Sequence, residues 1–140
     1  NFAKDTNLKS VIDNYLNFQS VIYNCVTWYN PTSNEEHYVY RSHRDYDDFK
    51  FLGMVVYWND IFENNGPLTF VKKSHRDSNI LGPQIKITGR AGTVILVDTF
   101  GLHSGSPVKE SARYTTTFRY GHYFNMSSVN DGFALTPDIK

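Results

Sequence analysis

The tetrapeptide Ser-His-Arg-Asp occurs twice in the sequence, as Ser42–Asp45 and as Ser74–Asp77. In an extended chain, residues i and i+2 project from one face. Each copy therefore aims an imidazole and a carboxylate at one point. A second imidazole from elsewhere would complete a two-His, one-carboxylate set, which holds Fe(II) on one side and leaves its remaining positions open. The dipeptide spacing is weak evidence by itself, because five His and ten Asp make one chance His-x-Asp unsurprising.

The third donor must come from a distant strand, and His103 is the best candidate. It follows the apolar run Thr93–Val97 and precedes a Gly-Ser turn. The first copy lies 58 residues upstream of it, an interval holding about four expected strands, and the second only 26. In a two-layered antiparallel roll, strands alternate between the sheets, and the longer interval can return the chain opposite His43 and Asp45. The first copy also directly follows an expected strand. The second follows Lys72-Lys73, precedes Asp77-Ser78-Asn79, and reads as a solvated loop with His75 a structural turn residue. We therefore expect His43, Asp45 and His103 to be the metal donors.

Ten residues beyond His103, Arg113 opens an aromatic-rich segment, with Thr115 at i+2 on the same face. An inward Arg must be paired, and its planar fork suits a carboxylate. The interior would then offer a metal and, deeper in, an anion receptor. A surface Arg on an edge strand is the other reading, and spacing alone does not choose between them. Arg119 stands at an even spacing on the same segment. Tyr40 and Tyr57 are candidates to line the pocket. Trp58 neighbours Tyr57, so only one of the two can face inward. Tyr114 reads as packing, His37 and His122 as structural histidines, and Asp98 as a residue that orders a turn.

The elements that must position these groups are mostly strands. Residues 4–18 carry Leu8, Val11, Ile12, Tyr15 and Leu16 at helical spacing, which predicts one amphipathic helix. Strand-like runs follow at 21–28, 37–42, 51–58, 67–72, 84–88, 93–98 and 112–121, separated by turns such as Asn64–Pro67 and Gly89–Gly92. Many short strands without intervening helices indicate an all-β sandwich or barrel.

The 140 residues suit one domain spanning 1–140, and 40% apolar with 16% aromatic residues supply a core. Zero formal net charge argues against a charge-driven nucleic-acid or membrane-surface role. A single cysteine, Cys25, excludes an intrachain disulfide and reads as a small core residue. No apolar run approaches membrane-spanning length and no basic-then-apolar leader pattern is visible, and a cytoplasmic location is expected.

Taken in order, His43-Arg44-Asp45, then Glu63–Leu68 (Glu-Asn-Asn-Gly-Pro-Leu) leading to Lys73-Ser74-His75-Arg76, then Gly92–Asp98 with His103, then Arg113, resemble the phytanoyl-CoA dioxygenase family over residues 37–121. Lys73 departs from it, since a Pro is common there. The resemblance implies a double-stranded β-helix (a jelly roll, cupin-like) preceded by one N-terminal α-helix. It implies an Fe(II)- and 2-oxoglutarate-dependent dioxygenase that hydroxylates a small organic substrate with O₂. His43, Asp45 and His103 would hold the iron, and Arg113 with Thr115 the distal carboxylate of 2-oxoglutarate. Related halogenases lack the carboxylate ligand, so Asp45 favours hydroxylation. A metal-binding β-roll module without oxygenase turnover is the alternative. Only about 36 residues precede the first core strand. We therefore expect further N-terminal residues, an open pocket, or a second subunit of a homo-oligomer covering it.

Overall fold

The fold begins with an amphipathic helix whose length is set by its caps. A computed structural model describes residues 5–33, 40–80 and 82–122. Helix α1 spans Thr6–Leu16. The Asp5 carboxylate accepts from the N–H groups of Asn7 and Leu8, both at 3.0 Å, and fixes the start. Asn17 ends it in the left-handed conformation, φ 64°. Leu8, Ile12 and Leu16 face the protein, whereas Val11 and Tyr15 are exposed.

Seven strands follow: β1 (Val21–Asn30), β2 (Leu52–Tyr57), β3 (Leu68–Val71), β4 (Gln84–Ile87), β5 (Val94–Val97), β6 (His103–Ser104) and β7 (Arg113–Gly121). They form a four-stranded sheet, β1-β7-β2-β5, and a three-stranded sheet, β4-β3-β6, antiparallel throughout. This is the all-β double-stranded roll with one N-terminal helix that the sequence led us to expect. Alternation sorts each strand of the larger sheet into two faces. Leu52, Met54, Val56 and Tyr120 join Ile12 and Leu16 in a core under the helix. Tyr57, Ile61, Ile95 and Val97 form a second core with Leu68, Phe70 and Ile87 of the smaller sheet. Burial of each such side chain contributes roughly 1.5–3 kcal/mol.

Three sequence expectations need correction. The strand expected over 37–42 falls largely outside the described residues, and its described end is not strand. Tyr40 lies in a 3-10 turn, and among the described residues of this segment pairing is first seen at His43, which bridges His103. Strand β6 was not foreseen, because two residues flanked by Gly101 and Gly105 carry no periodic signal. Cys25 is exposed rather than a core residue: it pairs with Phe118 on the face that carries the helix core, but on β1, the edge strand of the sheet.

Candidate metal centre

The ligand cluster is built by two chain segments running antiparallel. His43 N–H donates to the His103 carbonyl at 2.8 Å, and His103 N–H to the His43 carbonyl at 3.0 Å. Two residues on, Asp45 N–H donates to the Thr99 carbonyl at 2.9 Å. This short ladder puts both rings side by side, with centroids 4.5 Å apart. His43 Nε2 lies 3.7 Å from Asp45 Oδ1, and His103 Nε2 lies 3.8 Å from Asp45 Oδ2. One donor atom from each of the three residues falls within 4.8 Å of the others.

The tautomers follow from the hydrogen bonds. His43 Nδ1–H donates to the Arg41 carbonyl and His103 Nδ1–H to the Gly101 carbonyl, each at 2.9 Å. A carbonyl can only accept, so each Nδ1 carries a proton and each ring turns Nε2 toward the cluster. Burial holds the His103 imidazole below its ordinary pKa, against the opposing pull of the Gly101 carbonyl and of Asp45. It is therefore neutral at neutral pH. Two imidazoles and a carboxylate suit a divalent first-row metal. Cis ligands about 2 Å from one ion stand about 3 Å apart, so shifts of under an ångström at each group would close this set onto a metal. The side chain of His43 is 42% exposed and that of His103 is 9%, so the cluster opens on the His43 side.

The second Ser-His-Arg-Asp copy serves the first, a role that sequence reasoning missed. Ser74 is fully buried. Its Oγ donates to the Val71 carbonyl and accepts from Leu102 N–H, both at 2.7 Å. Its carbonyl accepts from Arg44 Nη1 at 2.7 Å, and Arg44 also donates to the Phe100 carbonyl at 2.5 Å. Ser74 thus braces the neighbours of three cluster residues, Arg44 between His43 and Asp45, and Leu102 beside His103. The turn is not simply a solvated loop, because its first residue is an anchor. His75 points elsewhere, with Nδ1 buried and without a hydrogen-bond partner among the described residues. Asp77 accepts from Asn79 N–H at 2.9 Å.

Arg113 and Thr115 share the inner face of β7. The Arg113 guanidinium donates from Nε and Nη2 to Asn30 Oδ1, at 3.1 and 3.0 Å, and from Nη1 to the Gly66 carbonyl. Gly66 has φ +83°, and a Cβ there would meet Val108 at 2.6 Å, so glycine is what turns this carbonyl toward Arg113. Burial lowers the Arg113 pKa from its ordinary value, with Tyr57 and Tyr40 acting the other way. Among the described residues this cation meets no carboxylate. Thr115 is buried opposite Tyr57.

Of the aromatic candidates, Tyr57 is buried and its hydroxyl is spent on the Ile87 carbonyl and Leu68 N–H, while Trp58 is exposed. Tyr40 is half-buried beside Gly105. Tyr114 packs against Tyr29 at the surface with the rings tilted, and His122 stacks on Phe18 and contacts Asp48. Asp98 accepts from Phe100 N–H and Tyr15 O–H. His37 lies outside the described residues.

No protein-family model and no curated protein sequence matches the chain. Solved structures do. SnoN, a non-heme alpha-ketoglutarate-dependent epimerase from nogalamycin biosynthesis, superposes with a TM-score of 0.74 at 18% identity, covering 89% of this chain and 56% of that one. EctD from S. alaskensis with bound Fe gives 0.68 at 22% identity, covering 87% and 52%. HygX from Streptomyces hygroscopicus, with nickel and 2-oxoglutarate bound, gives 0.67 at 16% identity, covering 88% and 66%. The chain spans between half and two thirds of the length of these structures, and it shares with them the double-stranded β-helix fold.

Proposed function

We propose that this chain is the β-roll of an Fe(II)- and 2-oxoglutarate-dependent oxygenase of the phytanoyl-CoA dioxygenase type, hydroxylating a small organic substrate. The observation that carries the reading is the convergence of His43 Nε2, Asp45 and His103 Nε2, with both Nδ1 atoms tied to backbone carbonyls. Structures of the same fold carry iron in EctD and 2-oxoglutarate in HygX, which supports the same pair of ligands here. Bound together, Fe(II) and 2-oxoglutarate supply the oxidising chemistry, in which O₂ and 2-oxoglutarate yield succinate, CO₂ and one hydroxyl on the substrate.

The chain's own residues would hold and orient. His43, Asp45 and His103 would hold iron on one side and leave the other side to ligands. Arg113 would take the far carboxylate of 2-oxoglutarate, with Thr115 beside it. A Cβ at Gly105 would lie 3.5 Å from Arg113 Nη1, and Gly105 is two residues from His103, about 7 Å along a strand. A five-carbon dicarboxylate bridges that gap. Among the described residues the Arg113 cation has no carboxylate partner, which favours an anion at this point.

Anaerobic titration of 2-oxoglutarate into the Fe(II)-loaded protein, read from the charge-transfer absorption, tests the reading. The band should appear and saturate for the parent protein. Arg113→Ala should weaken 2-oxoglutarate binding by tens-fold or more, about 2–5 kcal/mol for a buried charge-assisted pair, with Fe(II) retained. Arg113→Lys should restore only part, since an ammonium lacks the planar fork. Succinate formation that requires iron and O₂ would separate an oxygenase from a metal-binding module. Absence of both the band and succinate would remove the assignment.

A further inference from the structure

Arg113 and Arg119 stand on the same face of β7, six residues and about 20 Å apart along the strand. Arg113 marks the deep end, and Arg119 marks the end that meets the ligand cluster. Its Nη2 lies 3.4 Å from Asp45 Oδ2. Its Nη1 donates to Asp47 Oδ2, and Tyr23 O–H donates to the same oxygen at 3.1 Å. Asp45 and Asp47, at i and i+2, thus grip one guanidinium from one side.

The fold makes a specific provision for this contact. Strands β1 and β7 pair Ile22 with Tyr120 and Asn24 with Arg119, and Tyr23 is the extra residue of a β-bulge between them. Bulges re-aim a side chain and are common beside sites. Here the bulge turns Tyr23, 7% exposed, inward onto Asp47. Gly121 leaves the room, because a Cβ there would come within 2.9 Å of the Tyr23 ring.

Resting on the reading of His43, Asp45 and His103 as a metal site, we propose that Arg119, braced by Asp47 and Tyr23, is the positioning residue for Asp45. By engaging Oδ2 it stops the carboxylate from rotating and leaves Oδ1, the oxygen nearer His43, as a single-oxygen ligand. A cation beside a metal site also repels the metal. Asp47 already neutralises Arg119, so the repulsion is small and orientation dominates. Hydrogen-bonded partners of ligating carboxylates have this effect generally, at about 10–100-fold in metal affinity.

The test uses the full chain with Mn(II), followed by the electron spin resonance of the free ion, and with Co(II), followed by its ligand-field absorption. Arg119→Ala should bind Mn(II) about 10-fold or more weakly and change the Co(II) spectrum. Arg119→Lys should recover part of both, and Tyr23→Phe should shift both less in the same direction. If Arg119→Ala fails to fold, Tyr23→Phe, which removes one hydroxyl, decides. Parent affinity and an unchanged spectrum in these variants would overturn the role of Arg119 alone. A parent protein that binds neither ion would instead overturn the metal site beneath it.

Discussion

Asp45 and Asp77 sit in identical tetrapeptides and meet different surroundings. Asp45 faces two imidazole Nε2 atoms, whereas Asp77 closes a local turn onto Asn79. Asp45→Ala should therefore reduce Fe(II) or Mn(II) affinity by more than the roughly 10–100-fold that outer partners cost, and Asp77→Ala should leave it unchanged. Calorimetric titration of both variants measures this, and equal losses would reverse the choice between the copies. The cluster was legible because same-face spacing and the 58-residue interval constrain which groups can meet. Ser74 and Tyr23 were not. A buried hydroxyl looks like any loop serine in sequence, and a bulge leaves no mark in an otherwise regular strand.

The elements show how local chemistry fixes register around the cluster. The turn after β3 is held by Ser74, and its Oγ satisfies Leu102 N–H just before β6. Ser74→Ala leaves that donor without its partner, at a cost of about 1–3 kcal/mol. It should also loosen His103, so the stability loss in urea unfolding should come with weaker Mn(II) binding. Unchanged metal affinity would show that the brace is purely structural. Lys73, at φ 68° in the same turn, occupies a conformation that a Pro ring cannot adopt. At the other end of the chain, Asp13 joins α1 to β1, accepting from Lys9 Nζ and from the N–H and hydroxyl of Ser20. Burial pushes its carboxyl up, but the Lys9 and Ser20 hydrogen bonds outweigh this and hold it below its ordinary 3.8. A depressed carboxylate contributes stability that is present above the unfolded pKa and lost as pH falls through the folded one. Asp13→Ala should cost about 1 kcal/mol at neutral pH, and the gap to the parent should close on acidification to below that folded value. The helix and most strands were readable from periodicity. The segment entering His43 was not, because its described residues pair at a single bridge and not along a strand.

At the scale of the whole molecule, the question is what keeps two sheets at the separation the cluster requires. Its donors come from the 43–45 segment and β6, while Arg113 and Arg119 come from β7 in the opposite sheet. Apolar contacts fill the space between the sheets but are non-directional, so they set the distance loosely. Tyr57 is a directional tie between the two sheets. It rises from β2 in the larger sheet, and its hydroxyl donates to the Ile87 carbonyl of β4 at 2.8 Å and accepts from Leu68 N–H of β3 at 3.0 Å. Burial raises its pKa, so it remains a neutral phenol that can do both. Tyr57→Phe keeps the ring and strips both backbone groups of their partner. With about 1–3 kcal/mol for each buried group left unsatisfied, the loss is a large share of the roughly 5–15 kcal/mol that stabilises a domain. The urea midpoint should fall with the slope unchanged, because the surface exposed on unfolding is the same. On the proposed reading, 2-oxoglutarate affinity should fall as well, since Arg113 and the three candidate donors sit on opposite sides of this tie. A variant with a parent-like midpoint would mean that water replaces the hydroxyl and that Tyr57 does not set the spacing between the sheets.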